Sequence, residues 1–135
     1  MGARRKSREL ALQALYQADM SSLSALDTLP MLCENFEVSR KALPYGRELV
    51  DGVVGNQAAI DRVIEAGSAH WRVSRMSCID RNIIRIAVYE FNIREDVPAG
   101  VAINEAIELA KRFGAEDSPA FINGVLDAIR KTLNR

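Results

Sequence analysis

The stretch DRNIIRIAVYEFNI, residues 80–93, decides the fold class of this chain. Its apolar residues return at helical spacing and cover most of the helix circumference. They are Ile83, Ile84, Ile86, Ala87, Val88, Phe91 and Ile93. A helix that is apolar on nearly every side is buried among other elements, and Asp80 is placed to cap its amino end. The stretch therefore predicts a central helix around which the rest of the chain packs.

Upstream of this helix, the same spacing predicts further amphipathic helices. Apolar residues recur every three or four positions over residues 7–19, 26–36 and 44–67. Glycines weaken the middle of the third segment, so we expect either a kink near Gly55 or two abutting helices there. Residues 71–77 fit a connector or a short helical turn.

Two more amphipathic helices are predicted downstream, over residues 102–113 and 119–133. Gly114 is placed to end the first in a left-handed conformation, and Ser118 to cap the second. β-Branched residues do not alternate with polar residues between turn signals, so no strand is predicted. The sequence therefore indicates an all-α fold, a single-domain bundle of about seven helices.

The composition points to one domain and to a local rather than a global charge effect. The chain has 135 residues, of which 48% are apolar and 27% are charged, as in one compact globular domain. We therefore expect residues 1–135 to form a single domain. The 18 Lys and Arg residues balance the 18 Asp and Glu residues, so bulk charge alone cannot bind nucleic acid. Any site for a polyanion must be local.

Several kinds of site are missing from the sequence. Cys33 and Cys78 have no metal-ligand spacing, and His70 is the only histidine, so no metal site is predicted. No glycine-rich phosphate loop and no nucleophile motif occurs, so neither a cofactor nor a catalytic residue is predicted. Glu90 lies on the apolar side of the central helix and is interpreted as a structural anchor rather than a catalytic group.

Neither a membrane span nor a signal peptide is indicated. No stretch approaches the roughly 18 consecutive apolar residues that a spanning helix needs, and the basic start leads into Arg8 and Glu9. We expect a cytoplasmic protein with free thiols.

The first eight residues carry a basic cluster without an acid. On a helical wheel, Arg4, Arg5 and Arg8 fall over the same arc as two apolar residues further along, Leu12 and Leu15. Guanidinium groups at that place can hold phosphates. The other interpretation is a frayed and solvated basic terminus.

Further polar and aromatic groups flank the cluster on the same helix. Lys6 and Gln13 lie together beside it, and Gln13 can read a base edge. Tyr16 adds a ring that either stacks on a base or packs internally.

Four segments in this order resemble the NusB family of bacterial transcription antitermination factors. They are RRKSRELALQALY at 4–16, IIRIAVYE at 83–90, AINEAIELAKRFGAEDS at 102–118 and FINGVLDAI at 121–129. The resemblance covers both ends and everything after Asp80, whereas residues 20–78 match only in helix pattern and length. It implies an all-helical bundle of two packed subdomains.

The resemblance also implies a function and a set of site residues. Members bind boxA RNA together with NusE, a small-subunit ribosomal protein, and join other Nus factors and RNA polymerase to promote ribosomal RNA transcription. The RNA-binding positions carried over by motif, with Tyr16 added from the helix pattern, are Arg4, Arg5, Lys6, Arg8, Gln13, Tyr16, Phe121 and Asn123. Asp80 and Asp117 match acidic positions that face NusE, and Ser7 stands where alanine is common.

Two other functions and one assembly question stay open at this point. A similar helical domain precedes the catalytic domain of some RNA methyltransferases, although a chain ending at Arg135 leaves no room for a cofactor domain. A helical adaptor that binds only proteins would make the basic start incidental. Self-association into a homodimer through an exposed apolar patch is also open.

Overall fold

Seven helices form the architecture of the chain within residues 2–21, 24–29, 40–67 and 70–135, which the computed structural model describes. The helices are α1 (Gly2–Met20), α2 (residues 25–29), α3 (Leu43–Gly55), α4 (Gln57–Ala66), α5 (Cys78–Val88), α6 (Ala99–Phe113) and α7 (Ser118–Thr132). A 3-10 turn at Val73–Arg75 precedes α5, and a π-helix at Tyr89–Arg94 follows it. No strand occurs in these ranges, and the predicted all-α fold is confirmed.

The chain divides into two compact units, Met1–Gly55 and Asn56–Arg135. In the first unit, α1 packs against α3. In the second unit, α5 contacts α4, α6 and α7, and Ile83, Ile84 and Val88 are fully buried. Residues 80–93 are therefore central to the second unit, as their apolar circumference predicted. The single-domain organisation of residues 1–135 stays a prediction.

The upstream helices follow the sequence pattern where the structure describes them. Of the two alternatives for residues 44–67, the abutting helices are confirmed, because α3 ends at Gly55 and α4 begins at Gln57. The predicted short helical turn within 71–77 is also present. The predicted helix over 26–36 is helical up to residue 29, and residues 30–36 lie outside the described ranges.

The amino end of α5 is capped by a different residue from the one predicted. Ser77 has extended backbone, and its Oγ accepts a hydrogen bond from the Asp80 N–H at 3.1 Å. The prediction that Asp80 caps this helix is wrong, because the helix begins two residues earlier, at Cys78, and Asp80 lies within its first turn.

The turn between α6 and α7 also differs from its prediction. Gly114 has φ −89° and ψ −176°, which is extended rather than left-handed backbone. Glycine is needed there for space, since an added Cβ would lie 2.6 Å from Ser118 Cβ and 2.8 Å from the Ala110 carbonyl oxygen. Ser118 begins α7 instead of capping it, and its Oγ accepts from the Ala115 N–H at 2.9 Å.

The central helix does not continue as an α-helix to Ile93. Its last turn widens into the π-helix, in which the Glu95 N–H donates to the Glu90 carbonyl oxygen at 3.1 Å. An i→i+5 turn rotates less per residue than an α-turn, and Ile93 is consequently exposed rather than buried. Glu90 is buried, as its position on the apolar side predicted, while its role as an anchor stays a prediction.

A buried ion pair joins α4 to α5. Arg85 donates to both carboxylate oxygens of Asp61, from Nε at 2.9 Å and from Nη2 at 3.0 Å. Its Nη1 also donates to Asn82 Oδ1 at 3.2 Å. The Arg85 side chain is only 6% exposed, so the pair fixes the orientation of the two helices within this unit.

Candidate nucleic-acid interface

The basic cluster lies on the first two turns of α1, which begins at Gly2. Helix α1 and helix α3 approach closely beside it, because a Cβ added at Gly46 would lie 3.3 Å from Leu10 Cδ2 and 3.4 Å from the Ser7 carbonyl oxygen. The buried Ser7 hydroxyl donates across this contact, with 2.7 Å to the Ala42 carbonyl oxygen. The cluster therefore belongs to a helix that is fixed against α3, not to a frayed terminus.

Two arginines of the cluster are held at one aromatic ring. The Arg4 Cζ atom lies 4.3 Å from the centroid of the Tyr45 ring, and the Arg8 Cζ atom lies 5.9 Å from the same centroid. Both distances are within the range of cation–π attraction. Arg4 and Arg8 are one helical turn apart, so both side chains reach the same place on α3.

Exposure separates the roles that the cluster residues can take. Arg4, Arg5 and Lys6 are exposed, and their charged groups are accessible to a phosphate backbone. Arg8 is only 5% exposed. This difference follows from α1. The helix places Arg8 in line with its buried apolar residues, whereas the three earlier residues lie at its exposed amino end.

The remaining candidates on α1 lie beyond this end of the helix. Gln13 is half-buried, and the Tyr16 ring is 36% exposed. Tyr16 is three turns from Arg4 and about 18 Å along the helix axis, so a ligand contacting both must run along α1. The exposed ring and the amide are suited to stacking and to base-edge hydrogen bonds.

Tyr45 was not predicted as a site residue. The sequence pattern places it only among the apolar residues of the amphipathic segment 44–67. Tyr45 is 9% exposed and lies in the first turn of α3, just after Pro44. Its partners are far away along the chain, and they meet only through the packing of α1 on α3. A basic run and an isolated tyrosine in separate helices gave no local signal of this pairing.

Three candidates of the second unit lie on or just before α7. Phe121 is half-buried and Asn123 is exposed, while Ile122 between them is fully buried. Asp117 is exposed at the residue preceding α7 and makes no capping hydrogen bond with its side chain. The ring of Phe121 and the amide of Asn123 are therefore partly or fully accessible for contacts with a ligand.

Asp80 carries a buried carboxylate oxygen without a partner. The residue is half-buried in the first turn of α5, and its Oδ1 accepts no hydrogen bond from any residue that the structure describes. An unsatisfied buried acceptor is costly, especially when it is charged.

Within the described ranges, no three or more His, Cys, Asp and Glu side chains gather as they would around a metal ion. None of the described helices combines the length and the apolar character that crossing a bilayer requires.

The fold is all-helical, and basic side chains gather on the first two turns of α1. The sequence model of the NusB family matches residues 5–131. The transcription antitermination protein NusB of Geotalea daltonii is 50% identical over 141 residues, which cover 98% of this chain and 97% of that relative. The chain belongs to the NusB family. It is a transcription antitermination factor, a non-enzymatic RNA-binding protein.

Solved structures agree with this assignment. NusB of T. maritima is 36% identical and superposes with a TM-score of 0.84, covering 95% of this chain and 90% of that one. A structure of the antitermination factors NusB and NusE in complex with double-stranded RNA has a TM-score of 0.87 at 27% identity, with 98% of each chain covered. The family and the fold predicted from the four segments are confirmed.

Proposed function

We propose that this protein binds boxA RNA together with NusE, and that with other Nus factors and RNA polymerase it promotes transcription of ribosomal RNA. The observation that carries the proposal is the gathering of Arg4 and Arg8 on the ring of Tyr45. A NusB relative of known structure is in complex with NusE and RNA, which supports both partners. We propose further that residues 1–135 act as one RNA-binding domain in the cytoplasm.

The proposed RNA contacts divide into capture of phosphates and contacts with bases. The exposed Arg4, Arg5 and Lys6 meet phosphates at the open end of α1. Because the chain has no net charge, this attraction is local and falls steeply with salt. Neutralising about four phosphates of a single strand gives a log–log salt slope near −3.

Bases are contacted by the neutral and aromatic candidates in this proposal. Gln13 reads a base edge, and Tyr16 offers its ring for stacking. Phe121 and Asn123 supply a ring and an amide of the same two kinds. Stacking tolerates any base, so we assign the sequence preference for boxA mainly to Gln13 and Asn123.

NusE is proposed to bind at the acidic positions. Asp80 is half-buried in the first turn of α5, and Asp117 is exposed just before α7. A basic ribosomal protein is attracted to both acids, whereas RNA is repelled by them. NusE then widens the interface and raises the RNA affinity of the pair.

The RNA proposal is tested by titrating labelled boxA RNA with the wild type and with the variant Arg4→Gln/Arg5→Gln/Lys6→Gln. All three side chains are exposed, so the variant folds normally. The matched control Arg62→Gln/Lys111→Gln/Lys131→Gln removes the same charge from exposed positions elsewhere.

We expect the first variant to lose about 10- to 100-fold in affinity and the control to lose less than threefold. Equal losses, or no preference of the wild type for boxA over a scrambled RNA, would contradict the proposal.

The partner proposal needs a separate titration with NusE. Asp80→Asn is expected to weaken NusE binding about tenfold, because the side chain loses the negative charge that attracts a basic partner. RNA binding without NusE should stay within twofold of the wild type. If Asp80→Asn changes RNA binding alone and leaves NusE binding intact, the assignment of this position to NusE is wrong.

Self-association is tested in the same preparations. Met20 and Val54 of the first unit are 66% and 50% exposed, and exposed apolar groups of this kind are where a second copy would bind. Sedimentation at two protein concentrations distinguishes a monomer from a homodimer.

A further inference from the structure

We infer that Tyr45 is the positioning residue of the RNA site, acting on RNA through Arg4 without contacting RNA itself. This inference rests on the proposed RNA-binding function. Tyr45 as a whole is 9% exposed, which leaves little of its surface available to a base. Its face instead holds the two guanidinium groups at 4.3 Å and 5.9 Å.

A stacked guanidinium group remains able to bind phosphate. Its five N–H donors lie in the plane of the group and point outward from its edge. Attraction to an aromatic ring uses the face of the group, so the edge stays available for a bidentate contact. Among the residues that the structure describes, the Tyr45 ring is the partner of Arg4. Arg4 is thus oriented by a contact that leaves its donors at the surface.

The ring itself is fixed by the contact between α1 and α3. The Ser7 hydroxyl donates to the carbonyl oxygen of Ala42, just before α3 begins. Gly46, next to Tyr45, admits the close approach of Leu10. These contacts lie on both sides of Tyr45 in the sequence, so the backbone that carries the ring is fixed against α1. A long, flexible arginine side chain then loses less conformational entropy when RNA binds.

A double-mutant cycle tests the inference. Tyr45→Leu is expected to weaken binding of boxA RNA about two- to fivefold, the size of a partly exposed cation–π contact. Tyr45→Phe keeps the ring face and should stay within about 1.5-fold of the wild type. In an Arg4→Gln background, the loss caused by Tyr45→Leu should shrink, because the group that Tyr45 orients is already gone.

A stability control separates positioning from a general loss of packing. Val50→Ala removes buried volume from α3 without touching the arginines. It should lower the melting temperature and leave the RNA affinity unchanged below that temperature. The inference is overturned if Tyr45→Leu and Val50→Ala act alike on affinity, or if Tyr45→Leu costs as much in the Arg4→Gln background as in the wild type.

NMR on the wild type provides a readout that no folding defect can disturb. The side-chain resonances of Arg4, assigned by their loss in Arg4→Gln, should be shifted upfield by the ring current of Tyr45. The shift should persist when boxA RNA is added, because the guanidinium group binds RNA while stacked. If RNA removes the shift, Arg4 leaves the ring on binding and the inference fails.

Different results would contradict RNA binding by the basic cluster and the positioning role of Tyr45. If Arg4→Gln leaves RNA binding unchanged, the proposed function of the cluster is wrong. If Arg4→Gln weakens binding while Tyr45→Leu does not, only the positioning role is wrong.

Discussion

Replacing Gly114 by alanine should destabilise the second unit through a steric conflict in the turn between α6 and α7. An added Cβ would lie 2.6 Å from Ser118 Cβ, 2.7 Å from Ser118 Oγ and 2.8 Å from the Ala110 carbonyl oxygen. Ser118 is buried, and its Oγ already accepts from the Ala115 N–H. Neither the backbone oxygen nor this buried side chain can move aside without breaking other contacts. The backbone angles of Gly114 contribute nothing to the cost, since alanine adopts them readily.

The expected loss is about 1–3 kcal/mol in the free energy of unfolding, as for other overpacked sites. For a chain of this length, a change of 1 kcal/mol shifts the melting temperature by about 4 °C. Gly114→Ala should therefore melt about 4–12 °C below the wild type. Circular dichroism at 222 nm follows the transition, and urea unfolding gives the free energy independently.

Gly124→Ala is the matched control in the same unit. Gly124 is exposed in the interior of α7, and a Cβ there would meet nothing within 4 Å. Alanine is favoured over glycine in a helix by about 0.5–1 kcal/mol, so this variant should melt about 2–4 °C higher. The two identical changes should thus have opposite signs. Equal shifts, or a Gly114→Ala variant as stable as the wild type, would refute the steric reasoning.

Three further results are expected. Asp61→Asn should lower the free energy of unfolding by about 2–3 kcal/mol in urea, because it removes the negative charge that pairs with the buried Arg85 guanidinium group; Asp127→Asn, in an exposed pair, should change it by less than about 0.5 kcal/mol. Ser7→Ala should cost about 1 kcal/mol in a thermal melt, since the side-chain hydrogen bond that joins α1 to the carbonyl oxygen of Ala42 is lost, although this oxygen still accepts from the Gly46 N–H; an unchanged melting temperature would exclude that bond as a stabilising contact. Raising salt from about 0.05 M to 0.2 M should weaken boxA binding about 50-fold in fluorescence anisotropy, whereas a salt-independent Kd would argue against phosphate capture.

The spacing of apolar residues predicted most of the fold, because residues within a few turns of one another determine which face of a helix is buried. The apolar circumference of residues 80–93 and the glycines near Gly55 each determine a feature within a few turns of themselves. Helix ends were less predictable, since Ser77 and Asp80 are both good capping residues and only the start of the helix decides between them. Gly114 does not have the left-handed backbone that usually calls for glycine at a helix end; the reason for glycine is the nearby Ser118 side chain, a contact that spacing does not reveal.

The candidate site was predictable to the same local extent. The wheel arc of Arg4 and Arg8 was visible in the sequence, and their shared reach in the structure follows from it. Tyr45 was not visible, because its part depends on how α1 packs against α3. The unpaired oxygen of Asp80 likewise depends on the surroundings of one atom. Residue type and spacing identify what a side chain can bind, while tertiary packing decides whether it is held ready to do so.

The π-helix at Tyr89–Arg94 means that the chain stores one surplus residue at the end of its central helix. Deleting a residue there would restore ordinary α-helical pairing and rotate everything beyond it by about 100° around the axis. The left-handed Glu95 would then face another direction and lose its 2.7 Å ion pair with Arg135. The extra residue of the π-helix thus sets the rotation of the carboxyl-terminal segment relative to the central helix. A deletion there would change this rotation and would require compensating changes in both segments.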